Sequence, residues 1–200
     1  MVEDKPVLII IAGPNGSGKT SVTGKILQHE WTENCLYINP DEIAQSRYGD
    51  WNSQPAIQKA ADYAENLREN CLKTRQSLIF ETVLSIPEKI NYIQRAKSAG
   101  YFIRFFFVGT DSPAINASRI TRRVMEGGHS VPIDKIISRY SKSIANSCIA
   151  AMIADRAYFY DNSVDFADPK LLFRTNNGNI KKVYQQINDW AKEIFDFITE

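Results

Sequence analysis

Residues 7–20 read Val7-Leu-Ile-Ile-Ile-Ala-Gly-Pro-Asn-Gly-Ser-Gly-Lys-Thr20, an apolar run that leads directly into a glycine-rich loop. The apolar run predicts a buried strand at Val7–Ala12, and the loop matches the pattern G-x-x-x-x-G-K-[ST]. A helical segment follows at once and extends to about His29. A strand, a loop and a helix in this order are typical of a site that binds the phosphate groups of a nucleotide.

The chemistry of a phosphate site explains the residue types in this loop. Glycines allow the backbone N–H groups to turn inward around phosphate oxygens, where side chains would block the approach. We expect Lys19 to reach the β- and γ-phosphates as a point charge, and the hydroxyl of Thr20 to bind Mg²⁺. The residues predicted to surround the phosphates are Gly13, Pro14, Asn15, Gly16, Ser17, Gly18, Lys19 and Thr20.

Short apolar runs alternate with helical periodicities along the rest of the chain. This alternation predicts an α/β fold with a mostly parallel sheet of five to six strands and helices on both faces. The Ser112-Pro113 pair predicts the start of a helix that runs to about Met125. A continuous apolar stripe from Ile180 to Ile198 predicts one C-terminal helix. The predicted strands are Val7–Ala12, Leu36–Asn39, Leu78–Glu81, Phe102–Val108, Ala157–Tyr160 and Leu171–Arg174.

Length and composition narrow the class of protein. The 200 residues are 44% hydrophobic and carry a net charge of +1, which predicts a single packed domain over residues 1–200. A mobile, lid-like helical excursion is expected at about residues 119–145. The near-neutral charge disfavours bulk binding to nucleic acid or to a membrane surface, and no apolar run is long enough to cross a bilayer. The three cysteines stand far apart, so a reducing, cytoplasmic compartment is the simplest interpretation.

Two acidic residues follow predicted strands, at the edge of the sheet where the phosphate loop is expected. Asp41 comes after the second strand, and Glu81 ends the third. Asp41 is either the cap of the next helix or a general base that takes the proton from an attacking hydroxyl. Glu81 either holds Mg²⁺ through water or binds the hydroxyls of an acceptor, and we favour the acceptor. Because a hydroxyl nucleophile benefits from a base, the two acids point to a hydroxyl as the acceptor group.

Cations are concentrated in one segment of this otherwise nearly neutral chain. Arg119 and Arg123 lie four residues apart on one helical face, and Arg139 lies on the next helix. We expect these three arginines to close over a triphosphate and to stabilise the charge on the transferring group. Arg122 lies off that face and is expected at the surface. His129, in the loop between the helices, either contacts phosphate or orders the loop.

Taken together, these segments resemble the zeta toxin family of P-loop kinases. The resemblance rests on the phosphate loop, on Asn39-Pro-Asp-Glu-Ile43, on Glu81-Thr82, and on the run from Arg119 to Tyr140 with its Gly-Gly-His-x-Val-Pro sequence. It implies a sheet like that of nucleoside monophosphate kinases, bound ATP and Mg²⁺, and transfer of the γ-phosphate to a hydroxyl of UDP-N-acetylglucosamine. The implied catalytic residues are Asp41, Lys19, Arg119, Arg123 and Arg139, and the implied substrate-binding residues are Glu81, Thr82 and His129.

The chain departs from the family pattern at two positions. Toxic members carry an arginine a few residues beyond the strand-end glutamate, where this chain has Ser85, and a lid arginine where it has His129. Both departures bear on the acceptor more than on the kinase chemistry. The resemblance also implies a separate, antitoxin-like protein that blocks the ATP site.

Two other functions fit the same residues. The acceptor could instead be a nucleoside, a nucleotide or a nucleic-acid end, although the sequence shows no obvious basic, aromatic-lined groove for an oligonucleotide. The chain could also be an ATP-binding switch that acts through a protein partner. The two acids at the strand ends argue against a switch, because a switch needs no base for an acceptor.

Overall fold

The computed structural model describes residues 5–49, 53–128 and 130–200. These residues form seven strands and seven α-helices. The strands are β1 (Val7–Ala12), β2 (Leu36–Ile38), β3 (Leu78–Thr82), β4 (Phe102–Gly109), β5 (Arg156–Asp161), β6 (Lys170–Asn176) and β7 (Asn179–Val183). The helices are α1 (Lys19–Ile26), α2 (Pro40–Tyr48), α3 (Gln54–Thr74), α4 (Pro87–Ser98), α5 (Pro113–Met125), α6 (Ile133–Ile153) and α7 (Asp189–Thr199), with a 3₁₀ turn at Glu30–Thr32.

The strands form one sheet in the order β2-β3-β1-β4-β5-β6-β7. The first five strands in this order pair in parallel, and β6 and β7 extend the sheet as antiparallel strands. The predicted α/β fold with a mostly parallel sheet is confirmed, with one strand more than the five to six expected. Since β1 lies at the centre of the parallel part, the loop that follows it opens at the middle of the sheet edge where ligands collect.

The predicted C-terminal helix is wrong over its first half. Residues 179–183 form β7, and the helix begins only at Asp189. Asn177 and Gly178 both have positive φ, 47° and 75°, which is the geometry of a two-residue hairpin turn. The Asn-Gly pair therefore turns the chain back along β6, and this local preference outweighs the helical spacing of the apolar residues.

Two hydrophobic layers enclose the sheet. On one face, side chains of α3, α4, α6 and α7 pack against rings from the central strands, including Phe105, Phe107 and Phe159. On the other face, Ile9 and Ile11 of β1 pack with side chains of α1 and of the segment around the 3₁₀ turn. Every residue from Leu8 to Ala12 is fully buried, which explains why this strand is apolar without alternation.

The helices around the predicted lid begin and end close to the expected positions. Ser112 is the N-cap of α5 with Pro113 as its first residue, although the Ser112 side chain makes no capping hydrogen bond. Gly127 follows the helix with a φ of 86°, a left-handed conformation that suits glycine. Within the described residues, no helix is long and apolar enough to cross a membrane.

Gly109 at the end of β4 and Gly24 inside α1 offer a matched pair of substitutions. A Cβ atom at Gly109 would lie 2.4 Å from two ring carbons of the buried Trp190, whereas one at Gly24 would meet nothing within 4 Å. We expect Gly109→Ala to lower the free energy of unfolding by about 1–3 kcal/mol, because the indole must move. We expect Gly24→Ala to raise it by roughly 0.5–1 kcal/mol, because alanine is the better helix former. Urea unfolding followed by circular dichroism measures both changes, and equal effects of the two substitutions would contradict this packing.

Candidate functional site

The phosphate loop joins β1 to α1 and is held tightly on several sides. Gly13, Gly16 and Gly18 all have positive φ. A Cβ atom would lie 2.2 Å from the Val108 carbonyl oxygen at Gly13, 2.6 Å from the Asn116 carbonyl oxygen at Gly16, and 2.1 Å from Asn162 Nδ2 at Gly18. Each position therefore requires glycine for two reasons: its backbone has a positive φ, and there is no space for a side chain.

Lys19 lies at the start of α1, with its ammonium group folded back onto the loop. Its Nζ donates hydrogen bonds to the backbone carbonyls of Gly13 (2.8 Å) and Pro14 (3.1 Å). Burial lowers the pKa of Lys19 from 10.5 to about 8, and the positive charge of Arg123 also lowers it, whereas Glu81 and Asp41 raise it. Burial thus disfavours the charged form of the ammonium group, and bound phosphate oxygens would favour it.

Glu81, near the end of β3, is the centre of a hydrogen-bond network. Its Oε1 atom accepts from Thr23 Oγ1 of α1 (2.8 Å) and from the Tyr37 hydroxyl of β2 (2.9 Å). Asn39 Nδ2 donates in turn to the Tyr37 oxygen (3.0 Å). Burial and the charge of Glu81 raise the pKa of Tyr37, so the phenol stays a donor. The network fixes the position of Glu81 relative to α1 and β2.

The N-cap of α2 is Asn39, so the alternative that Asp41 caps this helix is wrong. Asn39 Oδ1 accepts from the Asp41 backbone N–H at 3.0 Å, and Pro40 is the first helical residue. Asp41 itself is exposed in the first turn. Because the cap is supplied by its neighbour, the Asp41 carboxylate is not used to terminate the helix.

Thr82 connects β3 to the phosphate loop through its backbone. Its carbonyl oxygen accepts from the Gly13 N–H at 3.3 Å, and its Oγ1 accepts from the Leu84 N–H at 3.0 Å. Leu84 has a φ of 58°, and its carbonyl accepts from Asn146 Nδ2 of α6 at 2.8 Å. The Thr82 hydroxyl thus stabilises a tight turn beside the loop, and the helix that carries Arg139 holds the same turn.

The structure brings two of the three predicted arginines close to the phosphate loop. Arg139 of α6 donates from its terminal NH1 group to Asn15 Oδ1 of the loop at 3.3 Å. Arg123 is close enough to Lys19 for its charge to affect the pKa of that group. Arg119 instead donates from Nε to Asp165 Oδ1 at 2.7 Å.

Arg122 shares this partner, which the sequence interpretation did not foresee. It donates to Asp165 Oδ2 at 2.6 Å and lies over the ring of Phe166, 5.1 Å from the centroid. The two arginines hold the pKa of Asp165 below its usual value. The segment after β5 is therefore tied to α5 by ion pairs. His129, the remaining predicted contact, lies outside the described residues.

Residues after β5 also contribute to the site. Asn162 Nδ2 donates to the Ser17 carbonyl at 2.8 Å, and the Asn162 N–H donates to the Gly109 carbonyl at 2.9 Å. Asp161 Oδ1 accepts from Trp190 Nε1 at 3.0 Å, which anchors this segment to α7. The sequence analysis missed these residues. An Asp-Asn-Ser run directly after a predicted strand does indicate polar side chains at the carboxyl end of that strand, where ligands bind.

The oxygen groups around Thr20 fit Mg²⁺ bound together with a nucleotide. Thr20 is exposed in the first turn of α1, and Glu81 is held one turn further along the helix through Thr23. Among the described residues, no group of three or more histidine, cysteine, aspartate or glutamate side chains could hold a metal by itself. Mg²⁺ commonly uses one or two protein oxygens, with phosphate oxygens and water as its other ligands.

The buried Ser17 Oγ, which has no hydrogen-bond partner in the described part of the chain, is a further polar group in the loop.

Comparison with known proteins gives consistent results. A model of the zeta toxin family matches residues 2–165. An uncharacterized protein of Haemophilus influenzae is 28% identical over 132 residues, which are 66% of this chain and 91% of that protein.

Two solved structures share the fold. The structure of the PezAT chromosomal toxin–antitoxin system of Streptococcus pneumoniae has a TM-score of 0.63 at 16% identity, over 100% of this chain and 86% of that chain. The structure of AvrRxo1-ORF1 and ORF2 with ATP has a TM-score of 0.69 at 16% identity, over 97% of this chain and 64% of that chain. At these identities the likeness concerns the arrangement of strands and helices.

The lowered pKa of Lys19 predicts that ATP binding depends on pH. Below pH 8 the free protein carries the charged ammonium that phosphate requires, and above pH 8 binding must take up a proton. We therefore expect the affinity for ATP to fall by about tenfold for each pH unit above 8. Isothermal calorimetry in buffers of different ionisation enthalpy measures both the affinity and the proton uptake. Lys19→Arg is the control, since its guanidinium stays charged over this range; the same slope in this variant would assign the titration to another group.

Proposed function

Because the chain belongs to the zeta toxin family of P-loop kinases, we propose that it transfers the γ-phosphate of ATP to a hydroxyl of a small acceptor, UDP-N-acetylglucosamine. One observation carries the kinase proposal: the Glu81 and Asp41 carboxylates both raise the pKa of Lys19, so two acids share one site with the phosphate-binding ammonium. The sugar nucleotide itself is supported by the resemblance of residues 39–43 and 81–82 to the family pattern.

Asp41 is the proposed general base. The acceptor oxygen attacks the γ-phosphorus, the bond from this phosphorus to the bridging oxygen of ADP breaks, and the hydroxyl proton passes to the Asp41 carboxylate. The position of Asp41 suits this role, because its carboxylate is exposed in the first turn of α2 and Asn39 supplies the cap of that helix.

Cations supply the electrostatic part of catalysis. On nucleotide binding, the Lys19 ammonium exchanges the carbonyls of Gly13 and Pro14 for phosphate oxygens. Arg139, which already contacts the loop at Asn15, and Arg123 then face the transferring group. Mg²⁺, held through the Thr20 hydroxyl, supplies further neutralisation of phosphate charge when it is bound.

Glu81 is proposed to bind the acceptor. Its Oε1 is occupied by Thr23 and Tyr37, and no hydrogen bond from a described residue reaches Oε2. A carboxylate fixed through one oxygen can present the other to acceptor hydroxyls without losing its orientation. The Thr82 side chain is engaged by the Leu84 N–H, so its contribution is to hold the turn that borders the acceptor region.

We further propose a separate, antitoxin-like partner chain. The tips of α5 and α6 expose large apolar side chains next to the arginines of the site, among them Met125 (83% exposed) and Ile133 (63% exposed). Apolar groups rimmed by charge are typical of an interaction surface. A partner seated there would also cover the entrance to the phosphate loop.

Substitution of Asp41 tests the base. We expect Asp41→Asn to lower the rate of phosphoryl transfer by about 10²–10⁴-fold and to change the affinity for ATP at pH 7 by less than about threefold, because Asp41 is not part of the phosphate loop. Single-turnover transfer and calorimetric ATP binding measure the two effects. Glu42→Gln, which removes the neighbouring exposed carboxylate, is the matched control and should keep both. Equal losses of transfer and of ATP binding in Asp41→Asn would assign Asp41 a structural role.

A mass assay tests the acceptor. With ATP, Mg²⁺ and UDP-N-acetylglucosamine, we expect the sugar nucleotide to gain one phosphoryl group as ATP becomes ADP. A parallel reaction on a metabolite extract serves as the open comparison. If only a different hydroxyl compound gains the phosphoryl group, the kinase stands and the sugar nucleotide is wrong. If ATP is hydrolysed with no phosphorylated product, the transfer proposal fails.

A further inference from the structure

Among the described residues, the hydrophobic cluster on one face of the sheet receives side chains from α1 and the 3₁₀ turn and from no other helix. Hydrophobic side chains of α3, α4, α6 and α7 pack on the opposite face. Strands β5, β6 and β7 continue the sheet beyond β4. We call this surface, formed by the outward residues of β4 to β7 beside α1, the open face.

A cavity of about 300 Å³ lies where α1 meets the open face. Phe106, Tyr158 and Tyr160 from the sheet and Trp31 from the 3₁₀ turn supply aromatic walls. The rings of Phe106 and Tyr158 stack at 4.7 Å with an interplanar angle of 8°. Tyr158, Tyr160 and Trp31 are half-buried, and the Trp31 ring stacks on His29 at 3.7 Å. The volume is at the lower end of the range for small-molecule pockets and matches one planar group with its substituents.

A row of cations crosses the same face. Arg104 of β4 pairs in register with Arg156 of β5, Tyr158 pairs with Arg174 of β6, and Arg174 pairs with Lys182 of β7. Paired residues of neighbouring strands point to the same side of a sheet. From β4 to β7 the row spans three strand spacings, or about 14 Å. This distance is more than one phosphate group can bridge.

Three cations of this row, Arg104, Arg174 and Lys182, form no side-chain hydrogen bond with a described residue, whereas Arg156 donates to the Asn176 side chain and to the Asp155 carbonyl. Among the described residues, no carboxylate forms an ion pair with any of the four. The Nε groups of Arg104 and Arg174 are buried and lack a hydrogen-bond partner in the described part of the chain. Arg104 also lies over the ring of Trp31, 4.1 Å from its centroid, so the row and the cavity are continuous. Asp168, an acidic residue beside the cavity-lining Pro169, is paired with Lys25 at 2.9 Å.

We propose that the open face binds single-stranded nucleic acid, with a base in the aromatic cavity and phosphates along Arg104, Arg156, Arg174 and Lys182. Half-buried aromatic rings beside cations that no described carboxylate neutralises match both parts of a nucleotide, and the spread of the cations matches a nucleic-acid strand rather than a free mononucleotide. An acidic peptide would use the arginines but not the stacked rings. A second copy of this chain would bring like charges together.

Fluorescence anisotropy of a 12-nucleotide single-stranded RNA without a 5′ phosphate tests this proposal. The wild-type protein should bind at low salt, with log Kd rising linearly with log salt. Arg174→Gln with Lys182→Gln should weaken binding at least tenfold and reduce the salt slope by about 2. Tyr158→Ala should weaken binding at least fivefold with little change in the slope.

The matched control is Lys59→Gln with Lys73→Gln, which removes the same charge from exposed positions of α3. This control should bind as the wild type does, and thermal unfolding should show that all variants are folded. Saturating ATP and Mg²⁺ should not displace the RNA. The proposal is overturned by no binding at low salt, by an equal loss in the control, by displacement with ATP, or by equal competition from polyglutamate. Displacement with ATP would place the RNA at the phosphate loop. Equal competition from polyglutamate would make an acidic protein the ligand of the open face.

Discussion

Three glycines of the phosphate loop have no space for a side chain, and this constraint organises the structure around them. Val108 of β4, Asn116 of α5 and Asn162 after β5 approach Gly13, Gly16 and Gly18 so closely that a Cβ atom would overlap each. The loop is therefore a junction where β4, the base of the lid and the segment after β5 meet. Its shape is fixed by packing before any phosphate arrives, which is what a preorganised anion site requires.

The charged side chains of the site are separated by sign around this loop. The net charge of the chain is only +1. Three cations, Lys19, Arg123 and Arg139, nevertheless lie around the loop. Two acids, Asp41 and Glu81, follow or end the neighbouring strands β2 and β3. Burial lowers the pKa of Lys19, and the two acids oppose that effect, so the ammonium stays close to the boundary between its charged and neutral forms. A site of this kind gains the most from a ligand that brings negative charge.

The sequence predicted the parts of this protein that depend on local pattern, and it failed where distant residues meet. The phosphate loop, the parallel strands and the start of α5 follow from short motifs. The hairpin after Asn177 was missed because helical spacing was given more weight than an Asn-Gly turn. The network from Asn39 through Tyr37 to Glu81, and the arginine row of Arg104 and Arg174, were missed because strand pairing creates them, and no spacing along one chain reveals that register.

Three cations of the candidate site have partners within the chain. Lys19 donates to loop carbonyls, Arg139 donates to the Asn15 amide, and Arg119 pairs with Asp165. Neutral carbonyl and amide acceptors satisfy a buried cation without matching the strength of a charged phosphate oxygen. In the proposed mechanism, Lys19 and Arg139 exchange neutral acceptors for phosphate oxygens, whereas Arg119 would first have to leave a carboxylate. Asp165 therefore ties α5 to the segment after β5 through both Arg119 and Arg122.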